Sequence, residues 1–149
     1  MAKWLLKSEP SDYSIDDLQT EGVTLWTGIR NFQARNFIRD KMQKGDEVLF
    51  YHSSCKHVAV VGTASVVSAA YADPDQFDQG SKYFDSKAIK SDPKWFVVDV
   101  AFVSKAAKPL PLKAMKAAPE LSELALFKQS RLSVIPVTNA QWDYIVTQL

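Results

Sequence analysis

The stretch of residues 95–103 alternates between two faces, and it constrains the possible folds more than any other part of the chain. Four large apolar side chains occupy every second position on one face: Phe96, Val98, Val100 and Phe102. A period of two predicts a β-strand that buries one face of a sheet. Asp99 lies on the opposite face, so we expect that face to be the more hydrated one.

The other apolar segments are short and end at turn residues, which predicts short strands with helices between them. Strands are predicted at residues 4–7, 48–53, 58–68 and 132–137, and helices at residues 14–19, 31–42, 112–117, 120–128 and after 138. Capping boxes at Ser14 and Thr138 and an N-cap at Asn31 support three of these helices. Gly62 is expected to mark a β-bulge or a close approach. The order of elements favours an α+β fold, a small, mixed and mostly antiparallel β-barrel with inserted helices.

The composition fits a single domain over residues 1–149. Apolar residues make up 46% and charged residues 23% of the chain, which excludes the disordered and fibrous classes. One cysteine, Cys55, and two histidines, His52 and His57, argue against a disulfide framework and a structural zinc site. No apolar run reaches the ~20 residues of a membrane helix, and the start lacks a signal-peptide pattern. We therefore expect a cytoplasmic monomer without metal, cofactor or membrane partner.

Positive charge is concentrated in one segment, although the formal net charge is only +1. Residues 9–21 contain five acidic and no basic side chains, whereas residues 28–45 contain five basic side chains against Asp40. The second segment holds three of the four arginines: Arg30, Arg35 and Arg39. Guanidinium groups bind phosphates well, which favours a surface that faces a polyanion. An ordinary solvated helix face is the alternative.

A long polar connection spans residues 71–93, and loops of this length are often functional or mobile. We expect it to act as a lid over a ligand, with Tyr83 and Trp95 lining the opening. Its first part is acidic, and its second part contains three lysines: Lys82, Lys87 and Lys90. Only the second part is expected to approach a phosphate backbone.

The motifs present argue against several enzyme classes and favour binding of a planar ring. The chain contains neither GxxxxGK[ST] nor GxGxxG, the common phosphate and dinucleotide loops. Cys55 lies near His52 and His57, but no third group that would orient a catalytic histidine is evident. Aromatic and short polar side chains instead cluster at the ends of elements, at residues 7–9, 26–31, 51–53 and 130–133. Such clusters suit a heterocycle that is stacked on an aromatic ring and hydrogen-bonded at its edge.

Several short strings of residues occur in order along nearly the whole chain. They are WLLKSEP at 4–10, YSIDDL at 13–18, WTGIRN at 26–31 with ARN at 34–36, GD at 45–46 leading to FYHS at 50–53, YFD at 83–85 before PKW at 93–95, and SRLSV at 130–134. Together they resemble the EVE domain family of the PUA-like group, which is related to YTH domains. The resemblance implies a PUA-like barrel whose pocket accepts modified bases, notably modified cytosines. Ile29 and Phe32 stand where the family commonly has Val and Tyr.

The resemblance also implies roles for single residues. Trp26 would be the stacking plane, although its residue type alone favours a core position. Candidate readers of the base edge are Ser8, Asn31, His52 and Ser133. His52 has a slightly favoured alternative, in which it only satisfies a backbone carbonyl. Further base-binding positions are expected at Ile29, Tyr51, Ser53 and Leu132.

The basic residues have separate expected roles. Lys7 and Arg30 are expected to contact a phosphate or the base edge. Arg35, Arg39 and Lys41 are expected to follow the backbone of the nucleic acid. Arg131 has two equal interpretations, a ligand contact or a structural ion pair with one of the N-terminal acids.

These inferences predict a non-catalytic module that binds DNA or RNA through a flipped, modified base such as 5-methylcytosine. Two alternatives stay open. The first is a hydrolase of modified nucleosides that uses Lys7, Ser8 and Glu9, although consecutive strand residues point to opposite faces. The second is a barrel that binds a small molecule or a protein, which the salt dependence of binding would distinguish.

Overall fold

A curled sheet of six strands frames the protein, and a computed structural model describes residues 1–149. The strands are β1 (Lys3–Ser8), β2 (Val23–Leu25), β3 (Glu47–His52), β4 (Ala59–Val66), β5 (Tyr71–Ala72), β6 (Phe96–Val97), β7 (Asp99–Pro111) and β8 (Val134–Val137). The α-helices are α1 (Ile15–Glu21), α2 (Phe32–Asn36), α3 (Leu112–Ala117), α4 (Ala125–Lys128) and α5 (Asn139–Gln148). The sheet has the order β2-β7-β4-β3-β1-β8, in which only β1 and β3 are parallel neighbours. This topology confirms the predicted α+β fold with a mostly antiparallel, barrel-like sheet. None of the helices combines the length and apolarity needed to cross a membrane.

Strand β1 lies inside the sheet, and its sequence explains this position. Trp4, Leu5 and Leu6 are all buried, so both faces of the strand are covered by apolar groups. The parallel register with β3 pairs Ser8 with His52, and both strands therefore end at the same edge of the sheet. Helix α1 begins near this edge with the predicted capping box at Ser14.

The single strand predicted at residues 95–103 is divided at Val98 into β6, which pairs with β5, and β7, which continues to Pro111 over 13 residues. The predicted inward face is as expected at Val98 and Val100, which are fully buried. The expectation of a hydrated second face is wrong at Trp95 and Val97, which are also buried. The reason is that the long connection folds back over this segment, where the Gln76 side-chain amide hydrogen-bonds to the backbone of Trp95.

Two predicted helices are interrupted. The helix predicted at 31–42 consists of α2 followed by a π-helical turn at Phe37–Lys41, and Asn31 is its N-cap as expected. The continuous helix predicted at 120–128 is wrong, because a 3-10 turn at Pro119–Leu121 precedes the short α4. Leucines at unequal spacing are buried in this region, which one regular helix face does not allow: Leu121, Leu124 and Leu126.

The hairpin of β3 and β4 contains the predicted irregularity at Gly62. Phe50 pairs with Gly62 and Tyr51 pairs with Val60, so Val61 is the extra residue of a bulge. A Cβ atom on Gly62 would lie 2.4 Å from the carbonyl oxygen of Ser104. Both parts of the prediction are confirmed, since the glycine marks a bulge and a close approach of two backbones.

We predict that Gly62→Ala destabilises the fold by about 1–3 kcal/mol, because the added methyl group overpacks a site bounded by backbone. Gly80→Ala is the matched control in an exposed loop, where the nearest atom is a carboxylate oxygen of Asp78 at 3.3 Å. Urea denaturation measures both variants. Equal unfolding midpoints for Gly62→Ala and Gly80→Ala would contradict the predicted clash.

Candidate functional site

One cleft of about 540 Å³ opens where β1 ends, a volume typical of ligand sites. Its walls are the turn after β1, the end of β2 with the segment that follows, and the middle of the long connection. The lining residues are Lys7, Ser8, Glu9, Ser11, Asp12, Tyr13, Thr24, Leu25, Trp26, Thr27, Gly28, Ile29, Lys82, Tyr83 and Ser133. The structure thus brings together six of the residues predicted to bind a base: Lys7, Ser8, Trp26, Ile29, Tyr83 and Ser133.

Trp26 combines both predicted positions, because it belongs to the core and also lines the cleft. It is only 7% exposed, and its ring packs edge-on against Phe50 at 5.4 Å and Tyr13 at 6.4 Å between centroids. The indole N–H groups of Trp4 and Trp95 donate to Asp46 and Asp85, both at 2.9 Å. Trp26 has no such acceptor, and no buried side-chain donor of the protein lacks a partner. Its N–H is therefore accessible and free to donate to a ligand.

The end of β1 supplies a polar rim. The Ser8 hydroxyl donates to the carbonyl oxygen of Tyr13 at 2.5 Å, so its lone pairs remain able to accept a hydrogen bond. The Lys7 ammonium donates to the carbonyl oxygen of Ser130 at 2.9 Å, and partial burial lowers its pKa. The backbone N–H of Lys7 donates to the carbonyl oxygen of Ser133 at 3.0 Å, which places Ser133 beside β1.

Two carboxylates in the turn after β1 complete this rim. The backbone N–H groups of Asp12 and Tyr13 both donate to the Glu9 carbonyl oxygen at 2.9 Å, which closes the turn. Neither carboxylate of Glu9 or Asp12 makes an ion pair or a side-chain hydrogen bond. Sequence reasoning missed Asp12 and Tyr13 as cleft residues. The acidic run directly after a strand end was the available signal.

A buried ionic cluster holds the long connection against the segment after β2. The Asp73 side chain is fully buried and accepts from the Thr27 hydroxyl at 2.8 Å and from Arg30 Nη1 at 3.0 Å. Arg30 also donates through Nε and Nη2 to the carbonyl oxygen of Tyr83, at 3.3 and 2.8 Å. The predicted phosphate or base-edge residue Arg30 thus lies outside the cleft lining and anchors one cleft wall instead.

Tyr83 reaches the cleft because Gly28 leaves room for its ring. Gly28 has φ +84, and a Cβ atom there would lie 2.8 Å from Tyr83 Cζ. The loop that carries Tyr83 is tied down at its base by the buried Gln76 amide, which bonds to Asp73, Lys94 and Trp95. These bonds hold the base of the connection as a wall of the cleft, and the action of its middle part as a lid stays a prediction.

The other residues predicted to bind a base lie outside the cleft lining. Asn31 Oδ1 accepts from Ala34 N at 2.9 Å as the N-cap of α2. Tyr51, Trp95 and Leu132 are buried, and the backbone N–H of Ser53 donates to the Ser8 carbonyl oxygen at 3.0 Å. Burial raises the pKa of Tyr51 to about 12.

The predicted basic contacts lie on the surface around α2, away from the cleft lining. Arg35 donates to the Lys94 carbonyl oxygen at 2.7 Å, and Arg39 pairs with Asp40 at 2.8 Å. Lys41 is exposed and has no acidic partner. Arg131 is also exposed and makes no ion pair, so the structural alternative proposed for it is wrong.

His52 hydrogen-bonds to the backbone as an acceptor, whereas the expected alternative was a hydrogen bond to a backbone carbonyl oxygen. Its Nε2 accepts from the N–H of Ile15, the first residue of α1, at 3.1 Å. An imidazolium cannot accept this bond. Burial lowers the pKa of His52, Asp16 opposes that shift, and Lys105 adds to it.

We predict that Arg30→Ala destabilises the protein by about 3–5 kcal/mol, because it leaves the buried Asp73 carboxylate without its cation. Arg39→Ala is the matched control, since its ion pair with Asp40 is exposed and such pairs contribute little to stability. Urea denaturation distinguishes them. Similar losses in the two variants would show that the cluster does not hold the connection in place.

We predict that His52 makes the protein less stable in acid. Because its folded-state pKa lies below the ordinary 6.5, the unfolded chain takes up the proton first. The contribution of His52 is complete above about pH 6.5 and is lost as pH falls below that value through the folded-state pKa. His52→Gln should flatten stability between about pH 5 and 7, and His57→Gln is the control at an exposed histidine. Unfolding midpoints measured across this pH range would contradict the assignment if both variants kept the wild-type slope.

Comparisons with known proteins agree with this fold. The family model of the EVE domain matches residues 2–148. Thymocyte nuclear protein 1 of Gallus gallus is 39% identical, over 97% of this chain and 67% of that protein. The same protein of Homo sapiens is 36% identical, over 97% of this chain and 72% of that protein. The chain therefore belongs to the EVE domain family, as the resemblance indicated.

Solved structures give the same result. A protein from Leishmania major superposes with a TM-score of 0.95 at 47% identity, over 99% of this chain and 93% of that one. Human THYN1 in complex with 5-methylcytosine-containing DNA superposes with a TM-score of 0.93 at 35% identity, over 99% of this chain and 96% of that one. An ASCH protein from Zymomonas mobilis, at 10% identity and a TM-score of 0.54 over 97% of this chain and 96% of that one, shares the fold alone.

Proposed function

We propose that this protein binds DNA containing 5-methylcytosine or a related modified cytosine, with the modified base in the cleft around Trp26. The main support is the likeness to human THYN1 in complex with 5-methylcytosine-containing DNA, which extends over 99% of the chain. The cleft has a suitable volume and combines aromatic walls with a polar rim.

The free hydrogen-bonding groups of the cleft match the edge of cytosine. Cytosine presents an amino donor at N4 and acceptors at N3 and O2, and carboxylates are common acceptors for N4. Glu9, Asp12 and the Ser8 hydroxyl offer acceptors, while the Trp26 N–H offers a donor. All four residues line the same cleft, which supports contact of both kinds of group with a single base.

The apolar lining supports selection of the methyl group. Leu25, Ile29 and the rings of Tyr13, Trp26 and Tyr83 supply the apolar part of the cleft. Burying one methyl group contributes about 0.8 kcal/mol, which corresponds to roughly a fourfold preference over cytosine. A modest preference is therefore the expected scale.

The protein is proposed to act without chemistry on the base. A serine nucleophile needs a base that accepts its proton, but the Ser8 hydroxyl donates to a backbone carbonyl oxygen. The neighbouring Lys7 ammonium also donates to a carbonyl oxygen. No observation favours the hydrolase alternative, and chromatography of a modified nucleoside after incubation with the protein tests it.

We predict that single-stranded DNA with 5-methylcytosine binds about fourfold or more tightly than the unmodified strand, because the methyl group is buried. It should also bind better than the matched duplex, because extrusion of a paired base costs a few kcal/mol.

Trp26→Phe should weaken binding of the modified strand about two- to tenfold, through loss of the indole donor. It keeps more of the core than Trp26→Ala, which would cost about 3–5 kcal/mol of stability.

Trp142→Phe on α5 is the control for this substitution, because Trp142 does not line the cleft. Fluorescence anisotropy of labelled strands gives the affinities, and the matching RNA strand tests the choice of polymer. Equal binding of modified and unmodified strands by the wild-type protein would overturn the proposed function.

A further inference from the structure

Phe32 is an exposed aromatic residue at the start of α2, and the proposed function leaves it unexplained. Its side chain is 58% exposed, more than any other aromatic side chain among the large exposed apolar residues. It stacks on Trp95 with centroids 5.0 Å apart and planes inclined by 21°. One face of the ring is therefore covered by protein.

The other face of Phe32 is open. The guanidinium carbon of Arg35 lies 4.9 Å from the Phe32 centroid and 5.9 Å from the Trp95 centroid. If the Arg35 guanidinium lay over the free face of Phe32, its distance from the Trp95 centroid would approach the sum of the Arg35–Phe32 distance and the Phe32–Trp95 distance. Arg35 thus lies beside the stacked pair, and the outer face of Phe32 is free for a further planar group.

A continuous row of stacked groups joins this ring to the cleft. Tyr83 lines the cleft, and the Arg30 guanidinium lies 5.2 Å from the centroids of both Tyr83 and Trp95. Phe32 follows Trp95 in the row. The three steps of about 5 Å set an upper limit of about 15 Å on the separation between Tyr83 and Phe32, and a stacked strand advances about 3.4 Å per nucleotide. The distance corresponds to a few nucleotides.

The helical segment that follows Phe32 carries three basic side chains against Asp40, which pairs with Arg39, and its net positive charge suits a phosphate backbone. Arg35 and Arg39 lie on the same helical segment, with Arg39 over the ring of Phe96 at 5.9 Å. The exposed ammonium of Lys41 has no acidic partner. An exposed aromatic ring beside cationic groups is the combination by which proteins hold unpaired nucleotides.

We propose that the outer face of Phe32 stacks an unpaired base a few nucleotides away from the modified cytosine on the same DNA strand, with the neighbouring phosphates against Arg39 and Lys41. This inference rests on the proposed function, because the cleft positions the strand. It adds a second contact that reads no sequence, since every base has an aromatic face.

The test compares the wild-type protein with Phe32→Ala, Phe32→Tyr and Val103→Ala. Val103 is the matched control, because it is an apolar residue on β7 with the same 58% exposure. The probes are 5-methyl-2′-deoxycytidine monophosphate, an 11-nucleotide single strand with one central 5-methylcytosine, and versions of that strand with one abasic position placed in turn at each nucleotide on either side. Affinities come from calorimetry or anisotropy, and unfolding curves confirm that each variant is folded.

We expect Phe32→Ala to weaken binding of the 11-nucleotide strand about 5- to 100-fold, the scale of one stacked base. Binding of the monophosphate should not change, and Phe32→Tyr and Val103→Ala should bind as the wild type does. One abasic position should weaken the wild type by a similar factor and have no further effect on Phe32→Ala, which locates the stacked base.

Equal affinity of Phe32→Ala and wild type for the strand would overturn this inference and leave the proposed function intact. A wild-type protein that does not prefer the modified strand, but still loses affinity in Phe32→Ala, would overturn the proposed function and keep the stacking surface. Absence of binding to any strand would overturn both.

Discussion

The buried carboxylate of Asp73 is the group on which the site depends. A buried charge is costly unless it is paired and hydrogen-bonded. The Asp73 carboxylate accepts from the backbone N–H of Asp75, and Thr27 and Arg30 supply its other hydrogen bonds and its cation. These contacts bring the long connection onto the segment after β2. Arg30 then holds the carbonyl oxygen of Tyr83, so one ionic cluster sets the distance between two walls of the cleft.

The third wall follows from the parallel pairing of β1 and β3. The register ends both strands together, and His52 at the end of β3 accepts from the first N–H of α1. The short turn between β1 and α1 is held at both ends, since Ser8 donates to Tyr13. Glu9 and Asp12 of this turn line the cleft, and neither makes an ion pair. Rigid walls with unpaired polar groups favour binding, because little ordering is needed when a ligand enters.

The sequence predicted the frame well where the pattern was local. The capping box of α1, the N-cap at Asn31 and the bulge at Gly62 each depend on neighbouring residues or on one missing side chain. Contacts between residues far apart in the sequence could not be predicted in this way. Arg30 was predicted to contact a phosphate because its partner Asp73 lies 43 residues away in the sequence. Trp95 was predicted to line the opening because nothing in the polar loop indicates that Gln76 is buried against the Trp95 backbone. Trp26 could be predicted only with both sources, because its residue type indicated a core position and the family resemblance indicated a place in the cleft lining.

The most direct test is a two-dimensional NMR titration that follows the indole N–H signals of all four tryptophans while 5-methyl-2′-deoxycytidine monophosphate is added. In the free protein the indoles of Trp4 and Trp95 are bonded to Asp46 and Asp85, whereas that of Trp26 has no protein acceptor. A base in the cleft should shift the Trp26 signal strongly and leave the signals of Trp4 and Trp142 in place. Saturable binding that leaves the Trp26 signal unmoved would contradict the assignment of the cleft as the base-binding site.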